Sequence, residues 1–183
     1  MNALHPADAE PTGKRLLAVN AVERAWIILE DIPDPEIPVV SIRELGILRE
    51  INEHDGELEV VITPTYSGCP AIEQIEQDIR SALAANLLPA KVVTRLAPAW
   101  STDWIGEAAK EKLRAFGIAP PHTLPVRNVV RFARPVPQVM PEVPCPRCDS
   151  VNTTETSHFS STACKALYKC LDCLEPFDYF KPY

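Results

Sequence analysis

Apolar residues recur with helical spacing near the start of the chain, in the segment Val19–Asp31. Val22, Trp26 and Leu29 are three or four positions apart, which places them on one face of a helix. Asn20 is a suitable N-cap, because its side chain can accept a hydrogen bond from a free N–H group of the first turn. The segment therefore predicts a helix that ends ahead of two prolines, with Trp26 packed in the core.

Two short strands with a turn between them are predicted next. The runs Ile47–Asn52 and Glu57–Thr63 are rich in strand-forming residues, and apolar side chains recur at every second position of the later run. An Asp-Gly pair between two such runs is typical of a β-hairpin. Because His54 precedes this pair, we expect the loop to be longer than two residues. A third strand is predicted at Lys91–Leu96.

Two further helices are predicted, one on each side of the third strand. Pro70 suits the first position of a helix, which we expect to continue to about Asn86. Its predicted buried face consists of Ile72, Ile75, Ile79 and Leu83. The other helix is predicted at Thr102–Phe116 and ends at Gly117, just before two prolines. This order of elements predicts an α+β fold in which helices cover one face of a small sheet.

Prolines are concentrated in a stretch that divides the chain. Of the 19 prolines, seven lie between Pro120 and Pro144. Proline prevents a long helix, so we expect an extended linker with one short strand at Val126–Phe132. Four segments are therefore predicted: a disordered N-terminus (1–18), a two-layer α/β domain (19–118), a proline-rich linker (119–141) and a small C-terminal module (142–183).

Composition and charge exclude some classes of partner. Of the 183 residues, 46% are hydrophobic and 23% are charged, as in ordinary globular proteins. The net charge is −7 without a basic patch, so we expect no nucleic-acid partner. We find neither a membrane-spanning run nor a secretory signal, and we expect a cytoplasmic protein. In that reducing compartment, the six cysteines are more suited to metal binding or thiol chemistry than to disulfides.

Four cysteines near the C-terminus have the spacing of a metal site. Cys145 and Cys148 form one C-x-x-C pair, and Cys170 and Cys173 form a second pair 21 residues further on. Two such pairs can complete a tetrahedron of thiolates, which predicts a zinc-ribbon-like module. Zinc is the first choice, and iron, alone or in a cluster, also suits four sulfurs. Because the segment 142–183 is too short for a large core, metal binding is expected to supply on the order of 10 kcal/mol of its folding free energy.

The remaining cysteine, a histidine and three aromatic residues of this module are candidates for ligation, packing or docking. Cys164 is a candidate fifth ligand, although two complete pairs make a non-ligand thiol the preferred interpretation. His158 is expected to be an exposed hairpin residue. Phe177, Tyr179 and Phe180 are expected to form a minimal core, with a docking surface as the alternative.

Cys69 is a candidate reactive thiol or metal ligand. It directly precedes Pro70, at the predicted start of a helix. Free N–H groups and the helix dipole at this position predict a lowered thiol pKa. The alternative is a buried cysteine that fills space as a small hydrophobic side chain.

An acidic loop provides a second group of candidates. In the segment Asp31–Pro38, Asp34 and Glu36 flank a proline, and further prolines restrict the loop. A rigid loop loses little entropy when its carboxylates bind a ligand. The alternative is an ordinary solvated turn.

Together, these motifs resemble a known family. The segments DPEIPVVSIRELGIL (34–48) and VVITPTYSGCPAIEQIEQDI (60–79) are similar to the iron–sulfur-cluster-assembly domain family, which includes the SufT proteins. The resemblance covers about residues 19–100. It implies a compact α/β fold and a role in iron–sulfur maturation. The positions that it marks are Asp34, Glu36, Thr65 and Cys69.

The later part of the chain resembles a narrower family. The segments LAPAWSTDWIGEAAKEKLRAFGIAPP (96–121) and the cysteine-rich tail are similar to PaaD proteins, which belong to bacterial phenylacetyl-CoA epoxidase systems. This resemblance implies an accessory protein of aerobic phenylacetate degradation. Its implied partners are the di-iron oxygenase, the reductase with its flavin and 2Fe–2S centre, and iron–sulfur scaffold proteins. The chain is not expected to hold the di-iron site itself, since its sequence does not supply the two Glu-x-x-His helices of such a site. We expect an accessory protein that is not itself catalytic.

The leading hypothesis is a maturation factor in which Cys69 transiently binds iron or an iron–sulfur cluster and Asp34 or Glu36 completes the site. Since one thiol holds a cluster weakly, a homodimer or a client protein is expected to supply further ligands. The alternatives are a structural subunit of the oxygenase complex, a rubredoxin-like electron carrier and a thiol enzyme. Asp149 and Leu174 disfavour the electron carrier, because rubredoxin knuckles usually have glycine at these positions. A thiol enzyme is disfavoured because no histidine is recognisably placed as its base.

Overall fold

The computed structural model describes residues 20–122 and 142–182. The predicted disordered N-terminus, most of the predicted linker and its strand at Val126–Phe132 lie outside the described residues. The described residues confirm the α+β class, with a three-stranded sheet in the first part of the chain and a four-stranded sheet that includes the C-terminal module. Within these two ranges, every helix is too short or too polar to cross a membrane.

The first helix, α1, spans Ala21–Leu29 and begins where the sequence predicts. The Asn20 side chain accepts a hydrogen bond from the Glu23 N–H at 2.9 Å, and the Glu23 carboxylate accepts the Asn20 N–H at 3.3 Å. This reciprocal capping satisfies two N–H groups that would otherwise lack partners. Trp26 packs against the core but is only partly buried, so its predicted core position is confirmed in part.

The first sheet has the order β1-β2-β3. Strands β1 (Leu48–His54) and β2 (Glu57–Ile62) are antiparallel, and β3 (Ala90–Thr94) runs parallel to β2. The predicted long hairpin loop is wrong, because His54 itself pairs with Glu57 and leaves a two-residue turn. Both turn residues have positive φ, 52° at the aspartate and 82° at the glycine, as a tight hairpin of this kind requires.

Helix α2 (Ala71–Ala85) connects β2 to β3 and provides much of the core. Its buried residues are Ala71, Ile75, Ile79 and Leu83. Three of the four predicted core positions are therefore buried, while Ile72 is only partly buried against the core. The helix packs against β3 and α1, which produces the predicted layer of helices on a small sheet.

The predicted helix at 102–116 is divided in two. A 3₁₀ turn covers Thr102–Trp104, and helix α3 covers Glu107–Phe116. Ile105 and Gly106 between them have extended backbone angles, so the helical hydrogen bonds are interrupted. Gly117, with φ of 95°, ends α3 as predicted.

The second sheet has the order β4-β7-β6-β5. Its strands are β4 (Ile118–Ala119), β5 (Thr153–Ser157), β6 (Lys165–Cys170) and β7 (Pro176–Phe180). Strands β5, β6 and β7 form an antiparallel meander, and β4 pairs with β7 in parallel. The C-terminal module, residues 142–182, is thus extended by a strand that precedes the proline-rich stretch.

The C-terminal module packs directly on the first domain. The ring of Phe180 lies 5.8 Å from that of Trp100, and both are buried. Cys164 and Phe180 belong to the same hydrophobic core as the residues of the first sheet. As predicted, Phe177, Tyr179 and Phe180 are buried in core positions, and His158 is exposed.

Candidate functional site

The acidic loop is held in shape by its own aspartate. One carboxylate oxygen of Asp34 accepts the N–H groups of Glu36, at 2.9 Å, and Ile37, at 2.8 Å. The Asp34 N–H donates to the carbonyl of Val40 at 2.9 Å. The Asp34 side chain is 6% exposed, and burial raises its pKa although these two N–H groups oppose the shift. Asp34 is therefore a positioning residue for the loop, and the loop is not a simple solvated turn.

Glu36 is the more accessible carboxylate of the loop. Its side chain is half-exposed, and only its backbone N–H is used by Asp34. Burial, followed by the negative charge of Asp34, raises its pKa. A neighbouring cation would stabilise the charged form, so Glu36 is the carboxylate of the loop that is better placed to bind one.

Cys69 lies in the loop between β2 and α2. Its sulfur accepts a hydrogen bond from the backbone N–H of Ala71, in the first turn of α2. Its own N–H donates to the carbonyl of Tyr66 at 3.2 Å, which closes the turn. The residue is half-buried, and Thr65 earlier in the same loop is buried at 8% exposure.

The predicted lowering of the Cys69 pKa is wrong. Burial raises the pKa to about 11, and the negative charges of Glu36, Cys164 and Asp34 add to this rise. The N–H of Ala71 acts in the opposite direction but is outweighed. At neutral pH, Cys69 is therefore a protonated thiol.

Two residues of the C-terminal module also approach this site, although their sequence pattern does not predict this position. Cys164, 4% exposed, lies just before β6, close enough for its charge to act on the pKa of Cys69. Lys165 is buried and pairs with Asp178 at 3.4 Å. Its positive charge opposes the rise in the pKa of Asp34 that burial causes, which places Lys165 near that carboxylate. The sequence indicates this arrangement only weakly, because a single cysteine beside a lysine does not show which part of the fold it contacts.

The four cysteines predicted as metal ligands are brought together at the other end of the C-terminal module. All four sulfurs lie within 4.8 Å of one another. The Sγ atoms of Cys145 and Cys173 are 3.7 Å apart, and those of Cys148 and Cys170 are 3.6 Å apart. A tetrahedron with zinc–sulfur bonds of about 2.3 Å has sulfur–sulfur edges of about 3.8 Å, so the cluster fits zinc. Bound zinc would act as a structural cross-link between the two pairs.

Hydrogen bonds connect the two cysteine knuckles. The Asp172 carboxylate, in the second knuckle, accepts hydrogen bonds from Ser150 and Asn152, which follow the first. The Leu171 N–H donates to the carbonyl of Asn152 at 2.8 Å. The four sulfurs are therefore positioned by a second layer of polar contacts, as is usual around bound metals.

Each knuckle ends in a left-handed residue. Asp149 has φ of 61° and Leu174 has φ of 66°. Glycine adopts this conformation without strain, and aspartate tolerates it better than leucine does. The knuckle geometry is thus reached without the glycines that rubredoxin uses.

Comparison with known proteins agrees with both halves of this description. The family described as "Iron-sulfur cluster assembly protein" matches residues 21–95, and the "PaaD zinc beta ribbon domain" matches residues 134–181. The chain is 47% identical over 168 residues to an Escherichia coli (strain K12) protein named as the putative D component of 1,2-phenylacetyl-CoA epoxidase. The match covers 90% of this chain and 95% of that protein. This chain belongs to the PaaD family. The resemblance found in the sequence is thereby confirmed.

The chain is also similar to two shorter proteins. The chain is 30% identical over 89 residues to the "Fe-S protein maturation auxiliary factor" of Porphyromonas gingivalis (strain ATCC BAA-308 / W83), and the match covers 47% of this chain and 84% of that protein. A crystal structure titled as a domain of unknown function, DUF59, from Bacillus anthracis is 27% identical with a TM-score of 0.47. That match covers 51% of this chain and 91% of the solved chain. In this PaaD protein, the zinc ribbon match follows the iron–sulfur-assembly match along the chain.

Proposed function

We propose that this protein is an accessory factor of the phenylacetyl-CoA epoxidase system that delivers iron or an iron–sulfur cluster to a protein of that system. The main support is the placement of Cys69 beside Glu36, in a domain that matches the iron–sulfur-assembly family. The name of the Porphyromonas gingivalis relative, a maturation factor, points to the same role.

The chemistry of the site suits transfer better than storage. Cys69 is protonated at neutral pH, so binding a metal displaces a proton, and this cost weakens the complex. Glu36 supplies a negative charge that offsets part of this cost, and Asp34 keeps the loop in place. Thr65 is buried within the cysteine loop. The cargo would therefore be released readily to a client that offers more thiolates.

The C-terminal module has a structural role in this proposal. Its four cysteines hold zinc and keep the β5–β7 meander folded, and the opposite end of the meander supports the Cys69 site. The proposed clients are the oxygenase and reductase subunits, with the 2Fe–2S centre of the reductase as the leading candidate. Iron–sulfur scaffold proteins are the proposed donors, and all these encounters would take place in the cytoplasm.

The test compares Cys69→Ser with the neighbouring control Ser67→Ala. Each variant is co-expressed with the oxygenase and reductase subunits, and the iron and sulfide content of the reductase is measured together with co-purification of the complex. We expect Cys69→Ser to reduce the iron and sulfide content several-fold while the complex still forms, and Ser67→Ala to leave both unchanged. Full iron and sulfide content with Cys69→Ser would overturn the proposal and favour a structural role without transfer chemistry.

A further inference from the structure

Cys164 is a buried thiol that the four-cysteine site does not use. It precedes β6, whereas Cys170 ends that strand. Six residues of extended chain span about 20 Å, so the two sulfurs lie at opposite ends of the module. The Cys164 sulfur is 3.0 Å from the hydroxyl of Thr162, and its carbonyl accepts the Lys181 N–H at 2.9 Å. Cys164 is therefore held firmly at the end of the module that packs on the first domain.

A shared core and one hydrogen bond place the segment around Cys164 next to the loop that holds Cys69. Cys164 is part of the first domain's core, and both Cys69 and Tyr66 pack against that core. The hydroxyl of Tyr66 accepts a hydrogen bond from the backbone N–H of Ala163, the residue next to Cys164. The two thiols thus come from different modules, on the two sides of the Tyr66–Ala163 contact, and Cys164 is near enough for its charge to affect the pKa of Cys69.

The charged groups around the two thiols are suited to a bound cation whose ligands are thiolates. Glu36 and Asp34 lie within electrostatic reach of both sulfurs. Lys165, buried beside Cys164, supplies one positive charge against the two carboxyl groups and the two thiols. With both thiols ionised, the group would be strongly anionic, and a bound cation would relieve this repulsion.

We propose that Cys164 is the second sulfur ligand for the cargo carried at Cys69, and that this cargo is an iron–sulfur cluster. The inference rests on the proposed function. In this arrangement, the first domain supplies Cys69 and the C-terminal module supplies Cys164, so both modules bind the cluster directly. Each thiol releases one proton to solvent as it binds an iron atom, and no electron is transferred.

The spacing of the groups favours a cluster over a single ion. Among residues 20–122 and 142–182, only the four knuckle cysteines form a group of three or more candidate ligands within 4.8 Å of one another. Cys69, Cys164 and a carboxylate are spread more widely. In a cluster, terminal ligands can bind different iron atoms, so they need not converge on one point. Two protein thiolates would leave coordination positions for the client to fill during transfer.

The test reconstitutes the full-length protein anaerobically with ferrous iron and sulfide. Cluster content per chain is measured from iron, sulfide and visible absorption for the wild type, Cys69→Ser, Cys164→Ser and Cys164→Ala. Zinc content and the urea unfolding midpoint identify variants that remain folded. We expect all three variants to retain zinc and to lose at least tenfold in cluster content or in cluster lifetime against an iron chelator.

The outcomes separate this inference from the proposed function. Wild-type cluster content in both Cys164 variants, with loss in Cys69→Ser, overturns the inference and leaves the proposed function standing. Full cluster content in Cys69→Ser overturns both the inference about Cys164 and the proposed function. Binding of one iron without sulfide contradicts the cluster and favours a single ion. If the Cys164 variants unfold, paramagnetic NMR of reconstituted wild type with labelled cysteine β-carbons decides, because two ligating cysteines support the inference and one overturns it.

Discussion

The indole ring of Trp100 packs against the ring of Phe180, with centroids 5.8 Å apart. Trp100 also donates its indole N–H to the carbonyl of Leu45 at 2.9 Å, which ties this contact to the first domain. Because Phe180 is 1% exposed and lies at the end of the last strand, the C-terminal module shares its core with the first domain. Packing at Phe180 should therefore contribute to the stability of both modules.

Truncation of Phe180 tests this shared core. Phe180→Ala should reduce the free energy of unfolding by about 3–5 kcal/mol, because a large buried ring is replaced by a cavity. The control Phe116→Ala removes a ring that is 54% exposed and should cost less than about 0.5 kcal/mol. Urea unfolding followed by tryptophan fluorescence measures both. A cost below about 1 kcal/mol for Phe180→Ala would contradict the shared core.

Removal of the metal should have a local effect. A strong chelator takes away on the order of 10 kcal/mol of binding free energy, which the small module needs for folding. We expect hydrogen exchange to become fast in β5 and in the knuckles while α1, α2 and the first sheet stay protected. Readdition of zinc should restore protection. Equal loss of protection in both sheets would show that the first domain also depends on the metal.

Asp172 should contribute to metal affinity without touching the metal. Asp172→Ala removes the carboxylate that connects the knuckles through Ser150 and Asn152, and we expect zinc affinity to fall about tenfold or more. Glu175→Ala is the matched control, since it removes the same charge nearby but only a 3.6 Å surface ion pair with Arg147. Competition with a chromophoric chelator measures the affinities. An equal loss of zinc affinity in the two variants would indicate a general effect of negative charge and contradict a specific role of Asp172.

The left-handed backbone at Leu174 predicts a stabilising substitution. Leu174→Gly should raise the stability of the metal-bound protein by up to about 1 kcal/mol, because the left-handed conformation costs leucine about 1–2 kcal/mol and the added flexibility of glycine cancels part of the gain. Leu171→Gly is the control, since Leu171 lacks a positive φ and is also exposed. It should lower stability. Thermal unfolding of the zinc-loaded protein compares the two variants. Destabilisation by Leu174→Gly would contradict the claim that the backbone is strained at Leu174.

The raised pKa of Cys69 predicts slow alkylation at neutral pH. With a pKa of about 11, the thiolate is rare at pH 7, and its population grows as the pH rises towards 11. Mass spectrometry of Cys69 after iodoacetamide treatment gives the rate at each pH. In the unfolded chain, the rate should level off above the ordinary thiol pKa of about 8.5. A folded-state rate that levels off by pH 8 would contradict the effect of burial.

Local patterns in the sequence predicted the elements but not the contacts between them. The spacing of the knuckle cysteines and the cap at Asn20 depend on neighbouring residues, so both were readable. The hairpin loop was predicted too long because the pairing of His54 depends on strand register. The interruption of the helix at Ile105 was missed because apolar spacing continues across it.

The candidate site was only partly predictable for a similar reason. The motifs marked Asp34, Glu36 and Cys69, but the pKa of the thiol depends on burial by residues distant in sequence. The helix N-terminus alone predicts a shift of the opposite sign. The role of Cys164 beside this site depends on how the C-terminal module docks, and no local pattern encodes that docking.

Because β4 pairs with β7, the C-terminal module does not depend on an unbroken peptide chain to stay attached to the first domain. The strand before residues 123–141 is hydrogen-bonded to a strand after them, through Ile118 with Asp178 and Ala119 with Tyr179. A single cut between residues 122 and 142 would therefore leave two pieces joined by main-chain pairing and by a common apolar interior. The C-terminal module is therefore held to the first domain by strand pairing and by a shared core as well as by the peptide chain.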